Sequence, residues 1–190
     1  RIQGSDALRV LNKIVTRDLK KFGKGHVAYT PWCDERGKVV DDGTIWNYGD
    51  GSFRLTSAQP SLKWIEDNAV GLDVRAEDVS EDLGTLSLQG PASKAILVDA
   101  AGPALAKLKF FRFTTATIDG IPVEISRTGY TGDLGYEIWV DRDQAEPLFD
   151  AILRYGSPHA MQLAGQTAMD LCRIEAGFVL AEVDYVHARS

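Results

Sequence analysis

Between Ser126 and Glu137 the chain reads SRTGYTGDLGYE, with Gly129, Gly132 and Gly135 at a spacing of three around a tyrosine. Glycines permit positive φ and close approach of the backbone, so this stretch makes a tight bend between extended arms. A Tyr hydroxyl and a carboxylate held in such a bend can read a flat heterocycle that carries N–H donors. The same residues also suit a plain β-hairpin turn.

Turn signals recur through the rest of the chain. From Val27 to Leu55, β-branched and aromatic residues are broken by Asp34-Glu35-Arg36-Gly37, Asp41-Asp42-Gly43 and Gly49-Asp50-Gly51, which predicts two or three antiparallel strands. Upstream, residues 5–16 place Leu8, Leu11 and Val15 at helical spacing, with Ser5 available as N-cap. Pro60 and Gly71 bracket a second helix, and Gly84 to Leu88, the Gln89-Gly90-Pro91 corner and a helix closing near Gly102 follow. A strand, a corner containing Gln and Pro, and a helix thus occur twice, as a duplicated α+β unit would leave behind. Ile121–Arg127 and Tyr136–Val140 flank the Gly-rich segment as strands. Asp143 and Glu146 form a capping-box pattern for a helix over 143–155, and a last helix runs from Gln166 to Ala176 before Gly177. The irregular alternation predicts a mainly antiparallel α+β domain with packed helices, in halves of about 1–78 and 79–190, rather than a doubly wound parallel sheet.

With 190 residues of which 44% are hydrophobic, the chain can bury a real core as a soluble domain. Its formal charge of -6 and scattered Lys and Arg lack a phosphate-binding footprint, which argues against nucleic acid. The uncharged stretch from Tyr155 to Met169 contains Gly, Pro, His and Gln and is too short to cross a membrane. Cys33 and Cys172 suggest neither a disulfide scaffold nor a zinc site, so a reducing, cytoplasmic setting fits. His26, His159 and His187 lack metal-ligand spacing, and no metal is expected. No G-x-S-x-G elbow is present. Gly23-Lys24-Gly25-His26-Val27-Ala28 matches a loose dinucleotide fingerprint, but a helix precedes it and a strand follows, the reverse of the required order. The start at Arg1 and the end at Ser190 suggest a piece of a longer protein.

Asp41-Asp42 carries more chemistry. Adjacent carboxylates on extended backbone point to opposite faces, so one of them can face a cavity and hold a cationic amine or steer a proton. A solvated turn at Gly43 is the alternative. Tyr29, Trp32, Trp46 and Tyr48 on neighbouring strands either wall such a pocket or pack in the core. Arg173 and Glu175 read as an exposed helical face, and Met169 and Cys172 as core.

Together these segments resemble the aminomethyltransferase family, the T-protein of the glycine cleavage system and its tetrahydrofolate-dependent relatives. SRTGYTGDLGYE at 126–137 resembles the family's SRTGYTGE-x-G-[FY]-E motif, and GKVVDD at 37–42, LQGP at 88–91, GIPV at 120–123 and RIEAG at 173–177 fall in the family's order. Tyr29-Thr30 matches as well. The resemblance implies a folate-binding domain of two related α+β halves, reduced folate in a central channel, and a C-terminal barrel outside these residues. It implies an enzyme moving an aminomethyl-derived methylene or a methyl group from a donor to tetrahydrofolate, with a lipoyl carrier protein as a further partner. Glu137 would accept hydrogen bonds from the pterin's amino and ring N–H groups, Tyr130 would position the ring, and Tyr29 and Arg127 would complete the cofactor contacts. Asp42, matching the second acid of the family's pair, would act beside the folate nitrogens that take up the carbon, with Asp41 the alternative one register away.

The resemblance departs in two places. Ala168-Met169-Asp170 stands where the glycine-cleavage protein has Ala-Arg-Asp, and residues 178–185 differ from its usual continuation. The one-carbon donor is therefore open, and the folate domain of a flavin-dependent N-demethylase is a second reading. A non-enzymatic folate-binding module of the iron–sulfur assembly type is a third, although its K-G-C-Y-x-G-Q-E motif is absent.

Overall fold

Valine, isoleucine and aromatic residues crowd the chain after Val27, and in the computed structural model, which describes residues 1–188, they form consecutive antiparallel strands. The chain divides into two units, one comprising Arg1–Val79 with the segment from Val179 onward, the other Ser80–Phe178.

The first unit contains β1 (Ile2–Gln3), α1 (Ala7–Ile14), β2 (Val27–Cys33), β3 (Val39–Gly49), β4 (Ser52–Ser57), α2 (Leu62–Asn68) and β5 (Arg75–Ala76). Its antiparallel sheet has the order β2-β3-β4-β1-β5. The helix α1 buries Ala7, Val10, Leu11 and Ile14, a stripe at helical spacing. Leu11 is fully enclosed in a cluster with Trp32, Val40, Ile45 and Phe53, and its burial contributes about 2 kcal/mol. This stripe differs from the expected one, since Leu8 lies at the surface. Ser5 does not cap the helix either: its hydroxyl donates to Asp73 Oδ2 at 2.7 Å, and Asp6 occupies the cap position.

The second unit contains β6 (Leu83–Gln89), α3 (Ser93–Ala101), β7 (Phe113–Ile118), β8 (Ile121–Ser126), β9 (Gly135–Asp141), α4 (Ala145–Gly156) and α5 (Gln166–Glu175). Its sheet is also antiparallel, in the order β6-β9-β8-β7. Ile96 and Leu97 of α3 and Leu148 and Ile152 of α4 pack with Ile118, Ile125, Tyr136 and Ile138 of the sheet. The sequence reading missed β7, although Asp119-Gly120 marks its hairpin: both residues have positive φ, 49° and 84°, as a two-residue turn of type I′ requires. The capping box at Asp143 does not form. A short 3₁₀ turn over Arg142–Gln144 puts Asp143 inside helical backbone, and Gln144 takes the cap position without a side-chain bond.

Two antiparallel sheets with packed helices make this an α+β fold, as the sequence predicts. No helix among the described residues is long and apolar enough to cross a membrane.

Candidate functional site

In the second unit, strand alternation sends Tyr136, Ile138 and Val140 into the core and leaves Glu137 half-buried on the other face of β9. Glu137 lies opposite Ser126 on β8 and Ser87 on β6. Its Oε2 accepts hydrogen bonds from the Thr128 hydroxyl at 2.7 Å and the Ser126 hydroxyl at 3.5 Å, and those two buried hydroxyls are 2.6 Å apart. The carboxylate is thereby oriented from one side, while Oε1 accepts no hydrogen bond among the described residues. Such a group can receive an external N–H.

The bend before Glu137 is braced by Gln89. The Gln89 side-chain amide donates to the Tyr136 carbonyl at 3.1 Å and to the Ser87 hydroxyl at 3.0 Å, and its oxygen accepts from Thr131 at 3.4 Å. A Cβ at Gly129 would fall 2.0 Å from that oxygen, and one at Gly135 only 1.6 Å from it. Two of the three evenly spaced glycines thus leave the space that the Gln89 amide fills, and a side chain there would displace that brace; only Gly132 has a positive φ, 75°. The spacing does not reveal this, because the brace comes from a different strand.

Tyr130 stacks on Phe178, with ring centroids 5.7 Å apart and planes at 14°. Phe178 is held by Arg173, whose carbonyl accepts the Phe178 N–H at 2.8 Å and whose guanidinium donates to the Phe178 carbonyl at 3.2 Å. Arg173 is buried and pairs with Asp170 at 3.5 Å, contrary to the expected exposed face. Met169 and Cys172 are only half-buried, so they are not the core residues expected. Arg127 follows β8 and donates from Nη1 to the Leu108 carbonyl at 3.3 Å, and its buried Nε has no hydrogen-bond partner among the described residues. Burial pushes the nearby Tyr136 phenol above its ordinary value, and the Arg127 charge opposes the shift.

In the first unit, Asp41-Asp42-Gly43 is not a turn but the middle of β3, paired with Trp32, Pro31 and Thr30 of β2. The two carboxylates diverge as extended backbone demands. Asp41 is 1% exposed, and accepts the Asp42 N–H at 2.8 Å and the Gln59 N–H at 3.0 Å, which ties β3 to the corner before α2. Burial raises its carboxyl above the ordinary 3.8; those two N–H bonds and the His187 charge oppose the rise, and the Asp42 charge reinforces it. A raised folded value means that the stability Asp41 contributes is complete below 3.8 and is lost as pH rises through that folded value. Asp41→Asn stays neutral throughout. The unfolding free energy of the wild type minus that of this variant, from urea curves, should therefore grow as pH falls from about 7 toward 4. A flat or shrinking difference would contradict the assignment.

Asp42 faces the other way and is half-buried. Its Oδ2 accepts the Tyr29 hydroxyl at 2.5 Å, and its Oδ1 accepts the Tyr185 hydroxyl at 3.1 Å. The structure thus joins two residues singled out in the sequence, Asp42 and Tyr29, and adds Tyr185, for which no spacing signal existed. Trp32 is core, while Trp46 is buried beneath the Arg54 guanidinium, 4.2 Å from its ring centroid, with Tyr48 at 5.7 Å. Among the described residues no group of three or more His, Cys, Asp and Glu is placed to hold a metal ion.

Residues 1–189 match the GCVT N-terminal domain family. The chain is 38% identical over 185 residues to an aminomethyltransferase of Halothermothrix orenii, covering 94% of this chain and 51% of that protein. It is 35% identical over 195 residues to a trimethylamine-oxide aldolase of Ruegeria pomeroyi, covering 97% of this chain and 25% of the aldolase. Among solved structures, the glycine cleavage system aminomethyltransferase T of Bartonella henselae superposes with a TM-score of 0.81 at 27% identity, over 95% of this chain and 48% of that one. The heterotetrameric sarcosine oxidase of Corynebacterium sp. U-96 shares the fold, with a TM-score of 0.65 at 20% identity over 85% of this chain and 78% of that one. The chain spans about half the length of the aminomethyltransferases it matches. A match running through nearly every residue, with the fold to go with it, makes this chain a member of the GCVT N-terminal domain family, the family of the aminomethyltransferases.

Proposed function

We propose that the protein carrying this chain is a tetrahydrofolate-dependent one-carbon transferase, with Glu137 and Tyr130 recognising the pterin and Asp42 serving the nitrogens that take up the carbon. The observation that carries this reading is the Glu137 carboxylate, anchored through Oε2 by Thr128 and without a partner at Oε1 among the described residues. Its chemistry suits the group: a pterin edge offers adjacent N–H donors, and an oriented carboxylate acceptor is what such an edge needs. Folate, when bound, supplies the nitrogen nucleophile and carries the one-carbon unit. The chain's own residues do the rest. Glu137 sets the orientation of the heterocycle, the Tyr130–Phe178 pair provides a flat apolar wall, and Arg127 supports the recognition loop through Leu108. Asp42, held by Tyr29, offers a carboxylate for orienting the amine and moving its proton.

The donor in this reading is an aminomethyl group on a lipoyl carrier protein, in keeping with the aminomethyltransferase relatives. A methylated amine is a second reading, favoured by the match to the trimethylamine-oxide aldolase. Calorimetric titration with tetrahydrofolate tests the common core of both. The wild type should bind, and Glu137→Gln, which turns one carboxylate oxygen into a donor, should weaken binding by about 10- to 100-fold. Absence of binding by the wild type would end this reading.

A further inference from the structure

Two hydroxyls meet the Asp42 carboxylate, one on each oxygen, and only one of them comes from the neighbouring strand. Tyr29 precedes Pro31, the β2 partner of Asp42, by two residues, so the pleat puts Tyr29 and Asp42 on one face within diagonal reach. Tyr185 comes from the far end of the chain, in the stretch where the sequence leaves the family pattern. Its position is built by several bonds. The Asp184 carboxylate accepts the Leu180 N–H at 2.7 Å, the Asp184 N–H donates to the Leu180 carbonyl at 2.9 Å, and the Glu182 N–H donates to the Tyr185 carbonyl at 2.9 Å, closing a turn. Beyond it, His187 pairs with Glu182 at 2.9 Å, and the Ala188 N–H donates to the Val39 carbonyl at 2.6 Å, which pins the segment to the start of β3. Ala188 also packs against the core of the first unit. The tail therefore runs back along β3 and delivers the Tyr185 hydroxyl to Asp42.

We infer that Tyr185 is a positioning residue for Asp42: with Tyr29 it clamps both carboxylate oxygens and holds the side chain in one rotamer. A carboxylate bonded on one oxygen alone can still swing about χ1 and χ2, and loss of alignment costs turnover before it costs binding. Tyr185 acts through Asp42, so its removal is felt in the chemical step rather than in affinity for the cofactor. The inference rests on the proposed one-carbon transfer at Asp42.

The test uses the protein expressed from its complete gene, with wild type, Y185F, D42N and the double variant assayed for tetrahydrofolate-dependent turnover. Y185F keeps the ring and removes only the hydroxyl. It should lower kcat by about tenfold, leave KM for tetrahydrofolate within about threefold, and have no further effect in the D42N background. Wild-type kcat in Y185F overturns the inference, as does an equal loss with and without D42N, which a general structural role would produce. A wild type that turns over no donor overturns the functional reading and the inference with it, and the two failures are told apart by the wild type alone.

Discussion

Replacing Asp42 by asparagine is expected to lower turnover about 10³-fold while changing tetrahydrofolate affinity by no more than about threefold. The substitution keeps the shape of the side chain. It removes the negative charge and turns one acceptor oxygen into an NH₂ group aimed at a phenol that donates in the wild type, Tyr29 or Tyr185. The binding determinants assigned to Glu137 and Tyr130 are untouched. Asp41→Asn is the matched control, because the Asp41 carboxylate is committed to the backbone N–H groups of Asp42 and Gln59 and should alter stability more than turnover. The measurement is kcat after a donor screen with tetrahydrofolate, in which aminomethyl-lipoyl carrier protein is compared with methylated amines, sulfonium compounds and methoxy-aromatics. Full activity of Asp42→Asn on the true donor would remove Asp42 from the mechanism, and a larger loss in Asp41→Asn would move the role one residue back.

Gly43→Ala should be among the most damaging single methyl groups in the first unit. A Cβ there would lie 1.8 Å from the Thr56 carbonyl oxygen and 2.8 Å from its carbon, both backbone atoms of the paired strand β4. Backbone in the middle of a sheet cannot swing aside as a side chain can, so β3 and β4 would have to separate next to Asp42. The expected cost is about 3 kcal/mol or more, roughly 10 °C in Tm for a chain of this size. Gly23→Ala in the same unit is the control: a Cβ there meets only the His26 ring, at 3.5 Å or more, φ is not positive, and the change should stay within about 0.5 kcal/mol. Tryptophan fluorescence reports mainly on the first unit, since three of the four tryptophans, Trp32, Trp46 and Trp64, lie in it and Trp139 lies in the other. A Gly43→Ala transition that coincides with wild type would show that the strands accommodate the methyl group.

Much of the architecture is legible from local pattern. Turn residues mark the hairpins, and a three-and-four spacing of apolar residues marks α1 and α4, because both signals act over a few residues. Errors arise where a local signal competes with a distant partner. Ser5 is a good helix cap by type, yet Asp73 takes its hydroxyl. Asp41-Asp42-Gly43 looks like a turn, yet pairing with β2, joined at Gly43 by pairing with β4, keeps it extended. Arg173 looks like an exposed helical residue, and is buried where it fastens Phe178 beneath Tyr130.

The candidate site divides along the same line. Its candidates come from the chain: SRTGYTGDLGYE proposes Tyr130 and Glu137, and the paired acids propose Asp42, because motif and family resemblance are properties of sequence order. The roles of individual atoms could not. That Glu137 is anchored by Thr128 and Ser126, that the Gln89 amide lies against Gly129 and Gly135, and that Tyr185 reaches Asp42 from the other end of the chain are contacts between residues brought together only by folding. A short-range pattern records what each residue can do. Which of those possibilities is realised depends on where the sheets place its neighbours, and that belongs to the tertiary structure.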